Sequence, residues 1–172
     1  RLGVRKEFGS SRGRFVQELE GLIDLRERGC AVPGVMGVDW IEHSIILEYV
    51  PGAVLREALA AVGAALRQRE LEAAGDRTPY KVRIQAAQAL LPRVVSDDQI
   101  ARIGQELRAI HSAGYVLEDV KYGNIMIHAL TGEPVFIDFE RALPLPKGSP
   151  GLSEYLRGID LAKFFDHFGR DA

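Results

Sequence analysis

The sequence has little of several features that would assign it to a particular class of protein. Its single cysteine, Cys30, cannot form an internal disulfide, so a reducing, cytoplasmic location is expected. No apolar run approaches the roughly 20 residues that span a bilayer, and the first residues lack the layout of a signal peptide. The 22 basic and 24 acidic residues give a net charge of −2. That balance gives no general electrostatic reason to expect binding to nucleic acid or to an anionic membrane.

The sequence does contain 47% hydrophobic residues in 172 positions, enough for one domain or two small lobes with a buried core. Alternating apolar residues predict a strand at 2–8. A helix is predicted over 12–28, with Ser10 or Ser11 as its N-cap and Gly29 ending it. Its expected apolar face consists of Phe15, Leu19, Leu22, Ile23 and Leu25.

The rest of the chain reads as two strands followed by helices that one hairpin interrupts. The two strands lie within 32–40 and 44–50, and the Pro-Gly pair at 51–52 ends the second. Strands at 125–129 and 135–138 form the hairpin, and loops are predicted at 73–80 and 143–151. Further helices are predicted over 55–69, 81–92, 98–112 and 152–168. The order predicts an α+β fold with a β-bearing front and a helical back.

Three polar residues stand at the ends of the hairpin strands. Asp119 and Asn124 lie five positions apart, directly before the first strand, with Lys121 between them. Asp138 ends the second strand, so strand pairing should return it close to Asn124. Hard oxygen ligands of this kind suit Mg²⁺, which completes its shell with water and phosphate oxygens. Asp119 could take a proton from an attacking hydroxyl, and Lys121 could neutralise a phosphoryl group in transfer.

These residues carry a resemblance to protein kinases. The stretch "EDVKYGN" at 118–124 resembles the kinase catalytic loop, and "IDFE" at 137–140 resembles the DFG element. "SIILEYVPG" at 44–52 resembles the strand and hinge that receive adenine, and "RGID" at 157–160 resembles the start of the central buried helix. The resemblance covers about residues 2–166. It implies a two-lobed kinase-like fold, with residues 1–50 as the small β-containing lobe and 51–172 as the helical lobe.

The resemblance also implies a role for each matched residue. Asp119 would act as the catalytic base with Lys121 beside it. Asn124 and Asp138 would bind Mg²⁺. Asp160 would support the catalytic loop. Glu48 and Val50 would present backbone groups to the adenine of ATP, with Met126 in the same nucleotide site.

A kinase-like site also requires a strand lysine paired with a helix glutamate. Lys6 is the lysine, because it shares a strand face with Val4 and Phe8. Two glutamates compete for it. At about 100° per residue, Glu18 falls on the apolar side of the helix, whereas Glu20 falls on the solvent side. Because a buried charge needs a partner, Glu18 is the expected partner of Lys6, with Glu20 as the alternative.

The sequence departs from the regulated eukaryotic kinases at several points. Only five residues precede Lys6, so the glycine-rich loop of kinases is either missing from this sequence, with a truncated N-lobe, or not used by the protein. Glu118 stands where many protein kinases carry an arginine, and Glu140 replaces the glycine of DFG. Only 22 positions separate Asp138 from Asp160, too few for a long activation segment. Glu118, Glu140 and the short interval are more similar to small atypical members, namely RIO-type kinases, Bud32, lipopolysaccharide-core sugar kinases and aminoglycoside phosphotransferases.

Plainer interpretations stay open for the same residues. Asp119 and Asn124 suit turn and capping positions, and Asp138 could be structural. Lys6, Glu18 and Lys121 could be ordinary surface charges. Glu118 and Glu140 fit surface or local salt-bridge positions, and His111 fits a packed histidine better than a ligand. No histidine has the spacing of a zinc site.

Two functions follow from the pattern. The first is an atypical ATP- and Mg²⁺-dependent kinase or ATPase, whose acceptor is a protein hydroxyl or a sugar. The second is a pseudokinase or scaffold that binds nucleotide or a protein partner without turnover. A protein partner is expected in either case only by analogy with Bud32-like proteins.

Overall fold

The computed structural model describes residues 2–67, 85 and 87–169 of the chain. The long described helices are α1 (Arg12–Glu27), α2 (Leu55–Arg67), α3 (Asp97–Ser112) and α4 (Pro150–Phe168). Short 3-10 helices occupy Leu91–Arg93 and Tyr122–Asn124. The strands are β1 (Gly3–Glu7), β2 (Val35–Asp39), β3 (Ser44–Glu48), β4 (Gly52–Val54), β5 (Tyr115–Val116), β6 (Ile125–His128), β7 (Pro134–Phe136) and β8 (Leu143–Pro144). The α+β class predicted from the sequence is confirmed.

The strands form three small antiparallel sheets. The first has the order β1-β3-β2, the second β4-β6-β7, and the third pairs β5 with β8. In the first sheet Lys6 is opposite Ile45, and in the second Ile125 is opposite Phe136. The predicted hairpin of β6 and β7 is therefore present, and it lies beside β4 rather than standing alone.

Most predicted elements occur where the sequence places them, with four corrections. The predicted strand at 135–138 ends at Phe136. The Pro-Gly pair at 51–52 does not only end a strand, because Gly52 begins β4. The predicted loop at 143–151 contains β8 and the first turn of α4. Ile23, expected on the buried face of α1, is 43% exposed, because it lies about 80° from Phe15 on the helical wheel, on the side away from Leu22 and Leu25.

Part of the helical prediction lies outside the described residues. The predicted loop at 73–80 falls wholly outside them. Within the predicted helix 81–92, the described positions 85 and 87–90 are helical. In the described part of the chain, no helix combines the length and apolar composition needed to cross a membrane.

Glycine is required at position 52 by a close backbone contact. A Cβ atom built there would lie 2.1 Å from the carbonyl oxygen of Ile127. β4 therefore packs against β6 at a distance that only glycine allows. This contact joins the chain that leaves β3 to the hairpin that precedes Asp138.

Two apolar clusters hold these elements together. The smaller consists of Phe8, Phe15, Leu19 and Ile45 and lies between the first sheet and α1. The larger joins α1, α2 and α3 to the β6–β7 hairpin, with Ile103, Leu107 and Ile110 of α3 at most 1% exposed. The two clusters thus hold α1 against the first sheet and against the β6–β7 hairpin.

The N-terminus of α3 supplies a test of helix capping. Ser96 and Gln99 form a reciprocal capping box, whereas Ser11, at the N-cap of α1, makes no side-chain cap hydrogen bond. We expect Ser96→Ala to lower the free energy of unfolding by about 1 kcal/mol. Ser11→Ala is the matched control and should change the free energy of unfolding by only a few tenths of the loss in Ser96→Ala. Urea unfolding measures both, and equal losses would contradict the capping assignment.

Candidate active site

The ammonium group of Lys6 is the centre of a compact charge cluster. Its Nζ lies 2.7 Å from Glu18 Oε2, 2.8 Å from Asp138 Oδ1 and 3.2 Å from Glu140 Oε1. The predicted ion pair of Lys6 with Glu18, rather than with Glu20, is therefore present. Glu18 is fully buried, whereas the side chains of Asp138 and Glu140 are 42% and 27% exposed.

Local structure explains why Lys6 turns inward. On β1, Lys6 shares a face with Phe8, whose ring centroid is 5.3 Å from the ammonium and which packs in the smaller apolar cluster. Glu18 lies on the buried side of α1, next to Leu19. The apolar packing of β1 against α1 thus brings the two opposite charges together.

Burial and pairing shift the ionisation of both partners. Burial raises the pKa of Glu18, and the attraction of Lys6 only partly opposes that rise. Burial alone would lower the pKa of Lys6, but Glu18 and Asp138 outweigh it, so the Lys6 pKa is raised. Lys6 therefore stays protonated at neutral pH and keeps a positive charge inside the cluster.

Asp138 lies in a turn after β7, not at the end of a strand as predicted. Its φ is +69°, in the left-handed region that costs a non-glycine residue about 1–2 kcal/mol. The preceding residue is fixed by a 2.9 Å hydrogen bond from Ile137 N to Asn124 O. The turn directs the Asp138 carboxylate to Lys6, a contact that simple strand alternation does not predict.

The predicted catalytic-loop residues form a second cluster. Lys121 Nζ is 2.5 Å from Asp119 Oδ2, and Asn124 Nδ2 donates to Asp119 O at 2.9 Å and to Asp119 Oδ2 at 3.2 Å. Burial acts to raise the pKa of Asp119, but the hydrogen bonds and charge of Lys121 and the bond from Asn124 lower it overall. Asp119 is therefore an ionised carboxylate at neutral pH.

Asp160 of α4 holds the segment before Asp119 by hydrogen bonds. Asp160 Oδ2 accepts a hydrogen bond from Leu117 N and Asp160 Oδ1 accepts one from Glu118 N, both at 2.8 Å. His111 Nε2 is 3.0 Å from Asp160 Oδ2. Asp160 thus supports this loop by hydrogen bonds, and His111 is a packed histidine, as the sequence indicates. Glu118 has a φ of +57°.

The predicted nucleotide residues line one cleft. It has a volume of about 370 Å³ and contains Lys6, Glu18, Glu48, Val50, Met126 and Asp138. Its other walls are mainly apolar: Val4, Pro33, Leu47 and Ile137. The volume lies within the range of roughly 300–1,000 Å³ that is typical of small-molecule sites.

Glu48 contributes more than the expected backbone groups. Its side-chain Oε2 accepts a hydrogen bond from Gly34 N at 3.3 Å and lies 3.4 Å from Arg26. Its backbone N–H already donates to Gly34 O at 2.7 Å. A backbone contact from Glu48 to adenine would therefore have to come from its carbonyl.

A polar pocket of about 500 Å³ adjoins this cleft, and Asp138 lines both. Asp119, Glu118 and Glu140 contribute carboxylates to the polar pocket, and Arg14 lies 3.5 Å from Glu140. Gln17 Nε2 donates to Ala142 O at 2.7 Å, which fixes the segment after Asp138 against α1. Asp119 and Asp138 therefore face one shared space, although they belong to different clusters.

The oxygen donors suitable for a hard cation are only partly those predicted. Glu18, Asp138 and Glu140 each place an oxygen within 4.8 Å of the others. Asn124 contributes its amide nitrogen to Asp119, and no described contact joins its side chain to Asp138. Carboxylate oxygens fit Mg²⁺, and Asp138 is the most exposed of the three.

Sequence reasoning missed two contributors to the site. Glu140 was expected at a surface or local salt-bridge position, but its partners are Arg14, 126 positions away, and Lys6. Lys163 donates to the carbonyl oxygen of Glu118. Its position three residues after Asp160, on the same side of α4, was the available signal.

Comparison with known proteins agrees with this geometry at a coarse level. No family model matches the chain. It is 26% identical over 157 residues to the EKC/KEOPS complex subunit bud32 of Emericella nidulans, across 77% of this chain. The chain spans about half, 53%, of the length of that curated relative. The similarity supports a kinase-like relationship.

The Lys6–Glu18 pair supplies a stability test. Lys6→Met would leave a buried carboxylate without its cation, so we expect a loss of about 3 kcal/mol in the free energy of unfolding at about pH 7.5. Because Lys6 opposes the rise in the Glu18 pKa, Lys6→Met should raise that pKa further. A raised folded-state pKa stabilises the folded protein at low pH, and this stabilisation is lost as pH rises through the folded value. The loss should therefore be smaller at about pH 5.

Urea unfolding at the two pH values measures this effect. The double variant Lys6→Met/Glu18→Gln removes both charges and should recover most of the stability. A double variant as unstable as Lys6→Met at both pH values would contradict the assignment of the loss to the Glu18 charge.

Proposed function

We propose that this chain binds Mg·ATP and transfers its γ-phosphoryl group to a hydroxyl acceptor, as an atypical kinase, or to water, as an ATPase. The observation that carries the proposal is the position of Lys6. Its ammonium lies between Glu18 of α1 and Asp138 of the turn after β7, in a cleft whose other walls are mainly apolar. A fixed cation there suits phosphate, and the apolar walls suit a flat base.

The nucleotide would lie along the 370 Å³ cleft. Val50 and Glu48 would contact adenine through backbone groups, with Met126 against the ring. Lys6, held by Glu18, would bind phosphate oxygens by charge-assisted hydrogen bonds. The kinase-like relationship supports this arrangement, and the two-lobed division at residues 1–50 and 51–172 forms part of the same proposal.

Asp138 and Asn124 would hold Mg²⁺, with Glu140 close enough to add a carboxylate. Bound Mg²⁺ would neutralise charge on the phosphate oxygens. In this arrangement the Lys6 ammonium would lose its contact with Asp138 and contact phosphate oxygens instead, because one ammonium cannot donate to all of these oxygens at once. The exposure of Asp138 makes it the carboxylate most readily released to the metal.

The chemistry at the acceptor would depend on Asp119. The acceptor oxygen forms its bond to the γ-phosphorus while the bond to the bridging oxygen of ADP breaks, and the hydroxyl proton passes to the Asp119 carboxylate. Hydrogen bonds from Lys121 and Asn124 keep that carboxylate ionised and oriented. Lys121 also places positive charge beside the group in transfer.

A pseudokinase or scaffold is the second candidate function. It is favoured by the third carboxylate on Lys6, because Glu140 competes with phosphate for the same ammonium. The named relative is a subunit of a complex, which supports a protein partner for this chain as a proposal. A cytoplasmic location is proposed on the free, buried Cys30.

Turnover of γ-labelled ATP distinguishes the two functions. We expect Asp138→Ala to abolish Mg²⁺-dependent turnover. Asp119→Asn should lower kcat at least about 100-fold with little change in ATP affinity, because a general base contributes that much. Asp98→Asn, at an exposed position on α3 outside both cavities, is the control and should keep full turnover. Wild-type protein that binds ATP without turnover would favour the scaffold, and turnover retained in Asp138→Ala would contradict the proposed site.

A further inference from the structure

The peptide groups that lead into Asp119 are held in succession by one face of α4. The peptide group between residues 116 and 117 donates its N–H, on Leu117, to Asp160 Oδ2 at 2.8 Å. The peptide group between residues 117 and 118 donates its N–H, on Glu118, to Asp160 Oδ1 at 2.8 Å. The third peptide, between Glu118 and Asp119, is held through its carbonyl oxygen by Lys163 Nζ. A peptide group is planar, so each bond fixes the orientation of a whole plane.

Two of these planes determine the backbone of Glu118. Its φ and ψ relate the plane held by Asp160 to the plane held by Lys163. The φ of +57° lies in the left-handed region, which a glutamate does not favour without support. Residues of opposite charge, one helical turn apart on α4, therefore hold the strained residue from both sides.

The plane held by Lys163 also contains the amide nitrogen of Asp119. If that plane rotates, ψ of Glu118 and φ of Asp119 both change, and the direction of the Asp119 side chain changes with them. The contacts of Asp119 with Lys121 and Asn124 lie within the same loop. At the start of the loop, Asp160 and Lys163 are the described residues of α4 that hold its backbone.

The same helix face reaches the far end of the loop. Tyr122 donates its hydroxyl to the carbonyl oxygen of His167, and the two rings are 4.6 Å apart. Asp160, Lys163 and His167 follow a spacing of three and then four residues, which places them on one side of a helix. The loop is thus held at its start and at Tyr122 by a single rigid element.

We propose that Lys163 is a positioning residue, which fixes the orientation of Asp119 by holding the carbonyl group of Glu118. The inference rests on the proposed function, because it assigns Lys163 a part in phosphoryl transfer. Lys163 does not itself reach the reacting atoms. Its ammonium donates to the backbone carbonyl of Glu118, so the loss of Lys163 should alter the placement of Asp119 and leave the nucleotide cleft unchanged.

The test compares Lys163→Met and Lys163→Arg with wild type, and uses Lys147→Met as the matched control, since Lys147 is exposed and has no described contact with the loop. Folding of each variant is checked by its melting temperature. We expect Lys163→Met to lower kcat for ATP about tenfold while KM for ATP stays within about twofold. Lys163→Arg keeps a charged donor and should recover most of kcat, and Lys147→Met should behave as wild type.

Hydrogen exchange of the peptide covering residues 115–122 gives a readout that does not need activity. Lys163→Met should speed its exchange about tenfold relative to wild type, whereas Lys147→Met should not. Wild-type protein without turnover, together with faster exchange in Lys163→Met, would contradict the proposed function and still support the positioning of the loop. Unchanged exchange, unchanged kcat, or a loss of kcat that Arg does not restore would overturn the proposal.

Discussion

The structure depends on one contact, the ion pair of Lys6 with the buried carboxylate of Glu18. A fully buried carboxylate is costly without a cation, and the Lys6 ammonium lies 2.7 Å from it. The same ammonium reaches Asp138 at 2.8 Å, 132 positions along the chain. One charge therefore joins β1, α1 and the turn after β7, and this junction brings a cation and exposed carboxylates into a cleft.

The second constraint is the backbone of the loop that carries Asp119. Glu118 and Asp138 both have positive φ, although neither is a glycine. Such strain persists where surrounding contacts determine it, often at functional sites. Around Glu118 those contacts come from α4, and at Asp138 they come from Lys6 and from the backbone pairing of Ile137 with Asn124. Both strained residues lead to the polar pocket that Asp119 and Asp138 share.

Much of this arrangement could be predicted from the sequence because it follows local rules. Strand alternation placed Lys6 inward, and helical periodicity chose Glu18 over Glu20. The contacts of Asp138 and Lys163 could not be derived in this way. Asp138 meets Lys6 through a left-handed turn that has no glycine to signal it. The bond of Lys163 to a backbone carbonyl depends on how α4 packs, which periodicity does not define. β4, β5 and β8 were missed because strands of two or three residues carry too little pattern.

The central claim is that Lys6 and its carboxylates form a phosphate-binding site, and calorimetric titration tests it most directly. The wild-type protein would be titrated with ATP in Mg²⁺ and, separately, with adenosine. If Lys6 binds phosphate, ATP in Mg²⁺ should bind at least about tenfold more tightly than adenosine, a difference of about 1.4 kcal/mol. Equal affinities, or no binding of ATP by folded protein, would contradict the account.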